Sequence, residues 1–407
     1  MFFQIAWRNI WRTPGRTAVI LTAVIIGVWS MIFLGALMRG MLDGMIENGI
    51  STLTGHIQLH HEEYRNDPVV DNSMTETGTI EQALDRILPK GAVYAKRVRV
   101  NAIANNARHS AGITFVGIEP DREKSVSFIG GAVPQGRYLE PGEKQGIIVG
   151  KALLDTFETK IGHKLVIMAQ DTENEIASRA FRIQGVFRAE MQSSEETFVF
   201  VSYQAAQNML KLQGGLSEIS ILLPQRGGEK RIADRLNAEL GSLGIEATTW
   251  KERKPLLRAY LDIFEGFMYI WYLVVFTAMG FGIVNTTLMA VFERMREFGL
   301  LKALGMRPAW ILRGVLTESF FILVLGAVAG NILGYLFVYI FATTGIDLSA
   351  LAQGAEMWGM SRMLFPVLSV QDVVVANVTV LVLGLVVSAY PALKAARFTP
   401  VEAMSMN

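Results

Sequence analysis

Four stretches of this 407-residue chain carry no charged residue for the length a bilayer demands: Thr17–Met38, Gly266–Phe292, Ser319–Ile346 and Val373–Leu393. About 20 apolar residues at ~1.5 Å rise each cross ~30 Å of hydrocarbon. Each stretch is long enough, each is closed by charge at both ends, and four together predict four spans. Arg8, Arg12 and Arg16 precede the first stretch, as the positive flank of a signal peptide would. That stretch is too long for a signal core and no small-x-small cleavage site follows it, so an uncleaved first span is expected.

Positive charge sets the expected orientation. Arg8, Arg12 and Arg16 lie before span one, Arg294, Arg296, Lys302, Arg307 and Arg313 between spans two and three, and Lys394 and Arg397 after span four. The loop between spans three and four holds only Arg362. Both termini and the central loop are therefore predicted cytoplasmic. The expected order is a leading amphipathic helix 1–16, span one 17–39, an extracytoplasmic α/β domain 40–262 and span two 266–292. A cytoplasmic helix and loop 293–312, span three 316–344, an outer loop 345–372, span four 373–393 and a cytoplasmic tail 394–407 complete it.

A formal charge of +1 gives no case for nucleic acid, and the absence of cysteine excludes disulfides and thiolate chemistry. In the leading helix Phe3, Ala6, Trp7, Ile10 and Trp11 share one side, with tryptophans suited to the headgroup layer. Pro14-Gly15 then turns the chain. In the domain, Thr79 and Gln82 form a capping-box pattern before the stripe Ile80, Ala83, Leu84, Ile87 and Leu88. Strands are expected near Val93–Val100, Ile113–Ile118, Lys164–Ala169, Phe181–Phe187, Thr197–Ser202, Ile219–Leu223 and Ile245–Thr249, with a helix marked by Ile232, Leu236, Leu240 and Leu243. A small α/β layer (about 75–120 and 217–250) thus brackets a β-rich insert. Leu256, Leu257, Tyr260, Ile263, Phe264 and Phe267 recur at helical spacing, so one helix is expected to run into span two as a rod.

The densest chemistry is NTTLMAVFERMREFGLLKALGMR, Asn285–Arg307, where span two ends in a short charged helix that Gly305 breaks. Glu293, Arg294, Arg296, Glu297, Lys302 and Gly305 are the candidate coupling residues. A membrane chain has little reason to place such a helix there unless a soluble protein docks on it. The nearest approach to a P-loop, GIIVGKA at Gly146–Ala152, is one residue short and puts Ala152 where a hydroxyl belongs. It is read as a turn between strand and helix, and the energy source must be another polypeptide. His56, His60 and His61 beside Glu62 and Glu63 alternate with Ile57 and Leu59, which predicts a strand with a polar face rather than a metal site. Asn285, Thr286 and Thr287 are expected to pair with neighbouring helices. Glu318 is expected at the interface, tied to Arg313 or Arg294. Gly326, Gly330 and Gly334 let helices approach closely, against spans two or four or across a subunit interface. Met31, Phe33, Phe267, Met268, Ile270 and Trp271 are candidates for lining a substrate-admission site.

Four segments together resemble the MacB/FtsX/LolC–LolE group of ABC transporter permeases, the mechanotransmission (type VII) family. They are AWRNIWRTPGRTAVILT (6–22), ERMREFGLLKALGMR (293–307), LTESFFILVLGAVAGNILG (316–334) and YPALKAARFTPVEAM (390–404). GHIQLHHEEYRNDP and the DLSALAQGAEMWGM loop lean toward its lipoprotein-releasing branch. The resemblance implies a MacB-like periplasmic domain and a dimer with a second, identical or homologous, permease. It implies two cytoplasmic ATPase subunits that hold the ATP and Mg, this chain binding no cofactor and catalysing nothing. The implied cargo is a lipoprotein or other amphipathic molecule taken from the outer leaflet. Two alternatives stay open: a MacB-like efflux permease for peptides or drugs, and an FtsX-like regulator of a cell-wall hydrolase that transports nothing.

Overall fold

The structure, a computed structural model, describes residues 2–348 and 363–398. Most of the DLSALAQGAEMWGM loop and the tail beyond residue 398 lie outside the described residues. The chain divides into a helical unit, Met1–Asp43, Leu261–Asp347 and Met363–Asn407, and a second unit, Gly44–Tyr260 with Leu348–Arg362.

Among the described residues four helices are long and apolar enough to cross a membrane: Pro14–Ser51, Leu257–Glu293 (within the helix Pro255–Glu293), Pro308–Thr344 and Val370–Arg397. All outrun the uncharged stretches, because charge ends a membrane run without ending a helix. Residues 308–312, expected in the cytoplasmic loop, open the third-span helix, with Pro308 at its first turn. The leading helix Phe2–Arg12 packs on that helix, with Trp7 edge-on to Phe321 at 5.7 Å. Val24, Val28, Met31, Tyr272, Phe276, Met279, Leu323 and Val380 fill the space among the spans. Asn331 and Asn377 join spans three and four by reciprocal side-chain hydrogen bonds of 2.8 and 3.0 Å.

Among the described residues the second unit has ten strands: β1 Ile57–His61, β2 Val93–Asn105, β3 Ser110–Ile118, β4 Gln135–Gly136, β5 Gly146–Gly150, β6 Lys164–Gln170, β7 Ile176–Phe187, β8 Phe198–Ser202, β9 Glu218–Leu222 and β10 Ile245–Thr249. The antiparallel order β10-β1-β9-β2, with helices Thr77–Ile87 after β1 and Glu229–Leu240 after β9, is a split βαβ, ferredoxin-like layer. Ile57, Leu59, Ile219 and Ile221 meet Ile80, Leu84, Ile232 and Leu236 on its helical face.

The β-rich insert is not a separate layer. β2 is 13 residues long; its first part pairs with β9 and its end with β6. The pairings β2-β3-β8-β5-β7-β6-β2 therefore close a ring. Val98, Val100, Phe115, Ile147, Ile167, Phe181 and Val199 belong to its core. Gly146–Gly150, expected as a turn, is a fully buried strand of this ring. Ile147, Ile148 and Val149 supply the apolar run, and the strand pairs with β7 and β8. Phosphate cradling needs unpaired amides, so this strand is no P-loop.

The other face of the ferredoxin-like layer is polar yet buried: Gln58, His60, Arg97, Glu218 and Ser220 are all at 1% exposure or less. Arg97 is held by Glu123 (2.7 Å), Glu218 (3.2 Å) and the Leu53 carbonyl. Burial works against Arg97, but the two carboxylates keep its guanidinium firmly charged. Burial also acts on Glu218; Arg99 and Arg97 overcome it and hold its carboxyl below the ordinary range.

Candidate motor-docking segment

The segment between spans two and three forms a helix, Met295–Ala303. Its end is a Schellman turn: the Gly305 amide donates to the Lys302 carbonyl (2.9 Å) and the Met306 amide to the Leu301 carbonyl (3.0 Å). Gly305 has φ +92°, a conformation that a Cβ would strain. Met295 and Phe298 are buried, and Phe298 packs in a cluster with Val291, Ile311, Val315, Ala392 and Ala395.

The charges of the segment divide by direction. Arg294 turns inward and donates to both Glu318 oxygens (2.9 and 3.0 Å) and to Glu297 (3.3 Å). Asn9 of the leading helix donates to the same Glu318 (2.6 Å), Arg12 pairs with Glu297 (3.0 Å), and Arg16 pairs with Glu293. Of the two partners expected for Glu318, Arg294 is the one observed; the Arg313 guanidinium lies over Trp310 instead. Lys302 donates to the Ala396 and Phe398 carbonyls at the end of the fourth-span helix (2.6 and 2.5 Å), where a cation offsets the negative helix end. Turned outward are Arg296, Leu300 and Leu304, the two leucines 58% and 77% exposed. This apolar face on a helix between spans is the feature residue spacing alone had not singled out.

Gly326, Gly330 and Gly334 face span one rather than span two, span four or an open surface. A Cβ on them would come within 2.5 Å of Val24, 2.7 Å of Val28 and 3.0 Å of Ile32. Thr286 bonds the Gly282 carbonyl of its own helix (2.8 Å) instead of a neighbouring one; Thr287 is buried and Asn285 exposed. Among the admission candidates, Met31 is fully buried in the core among the spans. Phe33 stacks on Trp29 and meets Phe337 and Phe341. Phe267, Ile270 and Trp271 are exposed and Met268 half-buried.

The histidines hold structural posts. His56 Nδ1 accepts from the Leu223 amide (3.0 Å), while His60 Nδ1 donates to the His61 carbonyl (2.9 Å). Burial lowers the pKa of both rings. A set of acids that spacing did not flag, Asp171, Glu173 and Glu175, converges in the β6–β7 turn. Lys211 Nζ sits among them, 2.9 Å from Asp171 and 3.6 Å from Glu175, and takes the position a cation would.

Two families match. Residues 17–239, more than half of the chain, match the MacB-like periplasmic core domain, and residues 269–400 match the FtsX-like permease C-terminal. The chain belongs to the ABC-type permeases that carry a MacB-like periplasmic core between their first and second membrane helices and end in an FtsX-like permease region. Among its curated relatives is the lipoprotein-releasing system transmembrane protein LolC of Xylella fastidiosa, 23% identical over 332 residues, covering 78% of each chain. The pyoverdine export ATP-binding/permease protein PvdT of Pseudomonas fluorescens is 25% identical over 451 residues, covering 99% of this chain but 59% of that one. The solved extracellular domain of the noncanonic ABC-type transporter YknZ, from Gram-positive bacteria, is similar over 47% of this chain and 99% of that one (16% identity, TM-score 0.34).

Proposed function

We propose that this chain is a non-catalytic permease subunit of a bacterial inner-membrane ABC complex that moves lipoproteins or comparable amphipathic cargo. Two cytoplasmic ATPase subunits, carrying the ATP and Mg, dock on the Met295–Ala303 helix, and a second permease subunit completes the assembly. The observation that carries this reading is the division of that helix. Arg294, Glu297 and Lys302 fasten it to the leading helix and to spans three and four, while Leu300 and Leu304 stand exposed between two spans. An apolar patch on a connecting helix fits a protein partner. A helix pinned on one side passes a push to the spans that hold it. The lipoprotein preference rests on similarity to LolC; the efflux relative PvdT keeps drug or peptide export as the second reading.

The natural chain has no cysteine, so Arg296→Cys is a unique label site. A membrane-impermeant maleimide is expected to modify it only after the inner membrane is opened. Labelling of intact spheroplasts overturns the docking role. Leu304→Asp is expected to abolish co-purification of the ATPase while the chain stays in the membrane. Retained ATPase in that variant counts equally against the reading. Lipid-modified protein in the purified complex supports release; a small molecule with a duct protein, or a hydrolase, moves the assignment to efflux or regulation.

A further inference from the structure

Between the helices Pro308–Thr344 and Val370–Arg397 runs an open groove of about 700 Å³, at the end of the helical unit where the leading helix packs. Phe320 on one side and Leu385, Val386 and Ala389 on the other form its walls. All four lie inside the uncharged runs of spans three and four, and Phe320 and Val386 are exposed. The walls therefore stand at hydrocarbon depth and face lipid. Trp310 and Arg313 line the other end of the groove, in the charged flank that precedes span three. At ~1.5 Å per residue Arg313 is about 10 Å along the helix from Phe320, so one groove joins the acyl-chain layer to the headgroup layer.

The cation at the mouth has no counter-ion. Arg12, Arg16 and Arg294, at the same end, each pair with a carboxylate. Arg313 is exposed, makes no ion pair among the described residues, and lies over the Trp310 ring at 5.7 Å. Glu318, five residues on, is turned away to Arg294 and Asn9. A soluble partner does not reach walls at hydrocarbon depth. A second copy of this chain would, but the described carboxylates at this end, Glu293, Glu297 and Glu318, are all taken by basic side chains of their own chain. We infer that the groove binds a phospholipid of net negative charge, its phosphate on the Arg313 guanidinium and the upper part of one acyl chain between Phe320, Leu385 and Val386. A basic side chain at the mouth of a cleft between membrane helices suits an acidic headgroup. A zwitterionic lipid brings an ammonium as well, and no free carboxylate receives it there. This site is separate from the exposed leucines of the docking helix and from the cargo assignment; it fastens a bilayer lipid across spans three and four.

The test is native mass spectrometry of the full chain, purified in detergent and titrated with dioleoyl phosphatidylglycerol or dioleoyl phosphatidylcholine. The expected result is preferential retention of phosphatidylglycerol by about fivefold, the worth of one basic residue beside an acidic headgroup. Arg313→Gln is expected to bring phosphatidylglycerol down to the phosphatidylcholine level and leave phosphatidylcholine unchanged. Ala389→Phe, which fills the groove and keeps Arg313, is expected to weaken retention of both lipids, and decides the matter should Arg313→Gln not fold. Equal retention of the two lipids by the natural chain overturns the inference. So does a folded Arg313→Gln chain that keeps the preference, or a folded Ala389→Phe chain that retains both lipids as the natural one does. Val386→Cys, in a chain with no other cysteine, is expected to stay monomeric under oxidation in membranes; a disulfide-linked pair would give the groove to a second copy and overturn the lipid assignment. The docking proposal is untouched by any of these failures, since its labelling readout does not involve this groove.

Discussion

The two units of this protein follow one burial rule with opposite results. The second unit hides charge at its centre: Arg97, Glu123 and Glu218 have no exposed side-chain surface. The helical unit keeps its ion pairs at the ends of the spans, in Arg39–Asp372, Arg16–Glu293 and Arg294–Glu318, and joins two spans by the neutral pair Asn331–Asn377. Large apolar side chains behave inversely. Phe115, Phe157, Phe181, Phe187 and Phe200 are buried in the second unit, whereas Ile270, Leu273, Phe281, Ile332, Tyr339 and Val386 face outward in the helical one. The difference is the solvent. Water outside leaves the apolar interior as the place to hide a hydrophobe, and a fully paired ion cluster is tolerated there. Lipid outside removes that inward drive, and a charge at mid-span has no inexpensive place to go.

The contrast can be broken most forcefully at the buried cluster. Glu123→Ala strands the Arg97 guanidinium with Glu218 as its remaining carboxylate, and is expected to destabilise the second unit by about 3–5 kcal/mol. Thermal unfolding of the purified full chain reads this directly; a loss below about 1 kcal/mol would mean the cluster is hydrated rather than sealed. The corresponding blow to the helical unit is steric. Gly330→Leu drives a side chain into Val28, 2.7 Å from a Cβ alone, and is expected to cost about 1–3 kcal/mol as the helices separate. Heat resistance in detergent compared with Gly314→Leu, at a glycine with open space around it, measures the effect; equal behaviour of the two variants would refute close packing on span one.

The smallest effect separates the units by pH. Burial lowers the pKa of His56 and His60, so the unfolded chain binds protons that the folded rings refuse. Their contribution is fully present above the unfolded value of about 6.5 and is lost as pH falls below it, at no more than ~1.4 kcal/mol per pH unit for each ring. His60→Gln is expected to flatten the acid-side decline in stability between about pH 6.5 and 5. An unchanged slope in that variant would show that the ring is already protonated when folded.

Much of the helical unit was legible in the residues. The uncharged runs located all four spans. In the second unit the periodic strands and the two striped helices were legible too. The ring was not, because β2 meets β6 only through residues some sixty apart, Ala104 with Ile167, and nothing local marks that pairing. Gly146–Gly150 was misread because flanking glycines signal a turn while Ile147, Ile148 and Val149 signal a strand, and burial in the ring decided for the strand. The outward leucines of the docking helix were equally hidden. Leu300 and Leu304 look like core positions until Val291, Ile311 and Ala395 are seen to meet the opposite side.

What the amino-acid order determined alone is which segments can enter lipid and which cannot, since the cost of a charge in hydrocarbon is a property of each segment by itself. It also determined that the segments before span one and between spans two and three carry more basic residues than the segment between spans three and four. Which surface meets which was settled only in three dimensions. The glycine row of span three chose span one, Glu318 took Arg294 rather than Arg313, and residues 97, 123 and 218 became one cluster. Contact between distant parts of a chain depends on shapes that exist only after folding, and no local pattern encodes them.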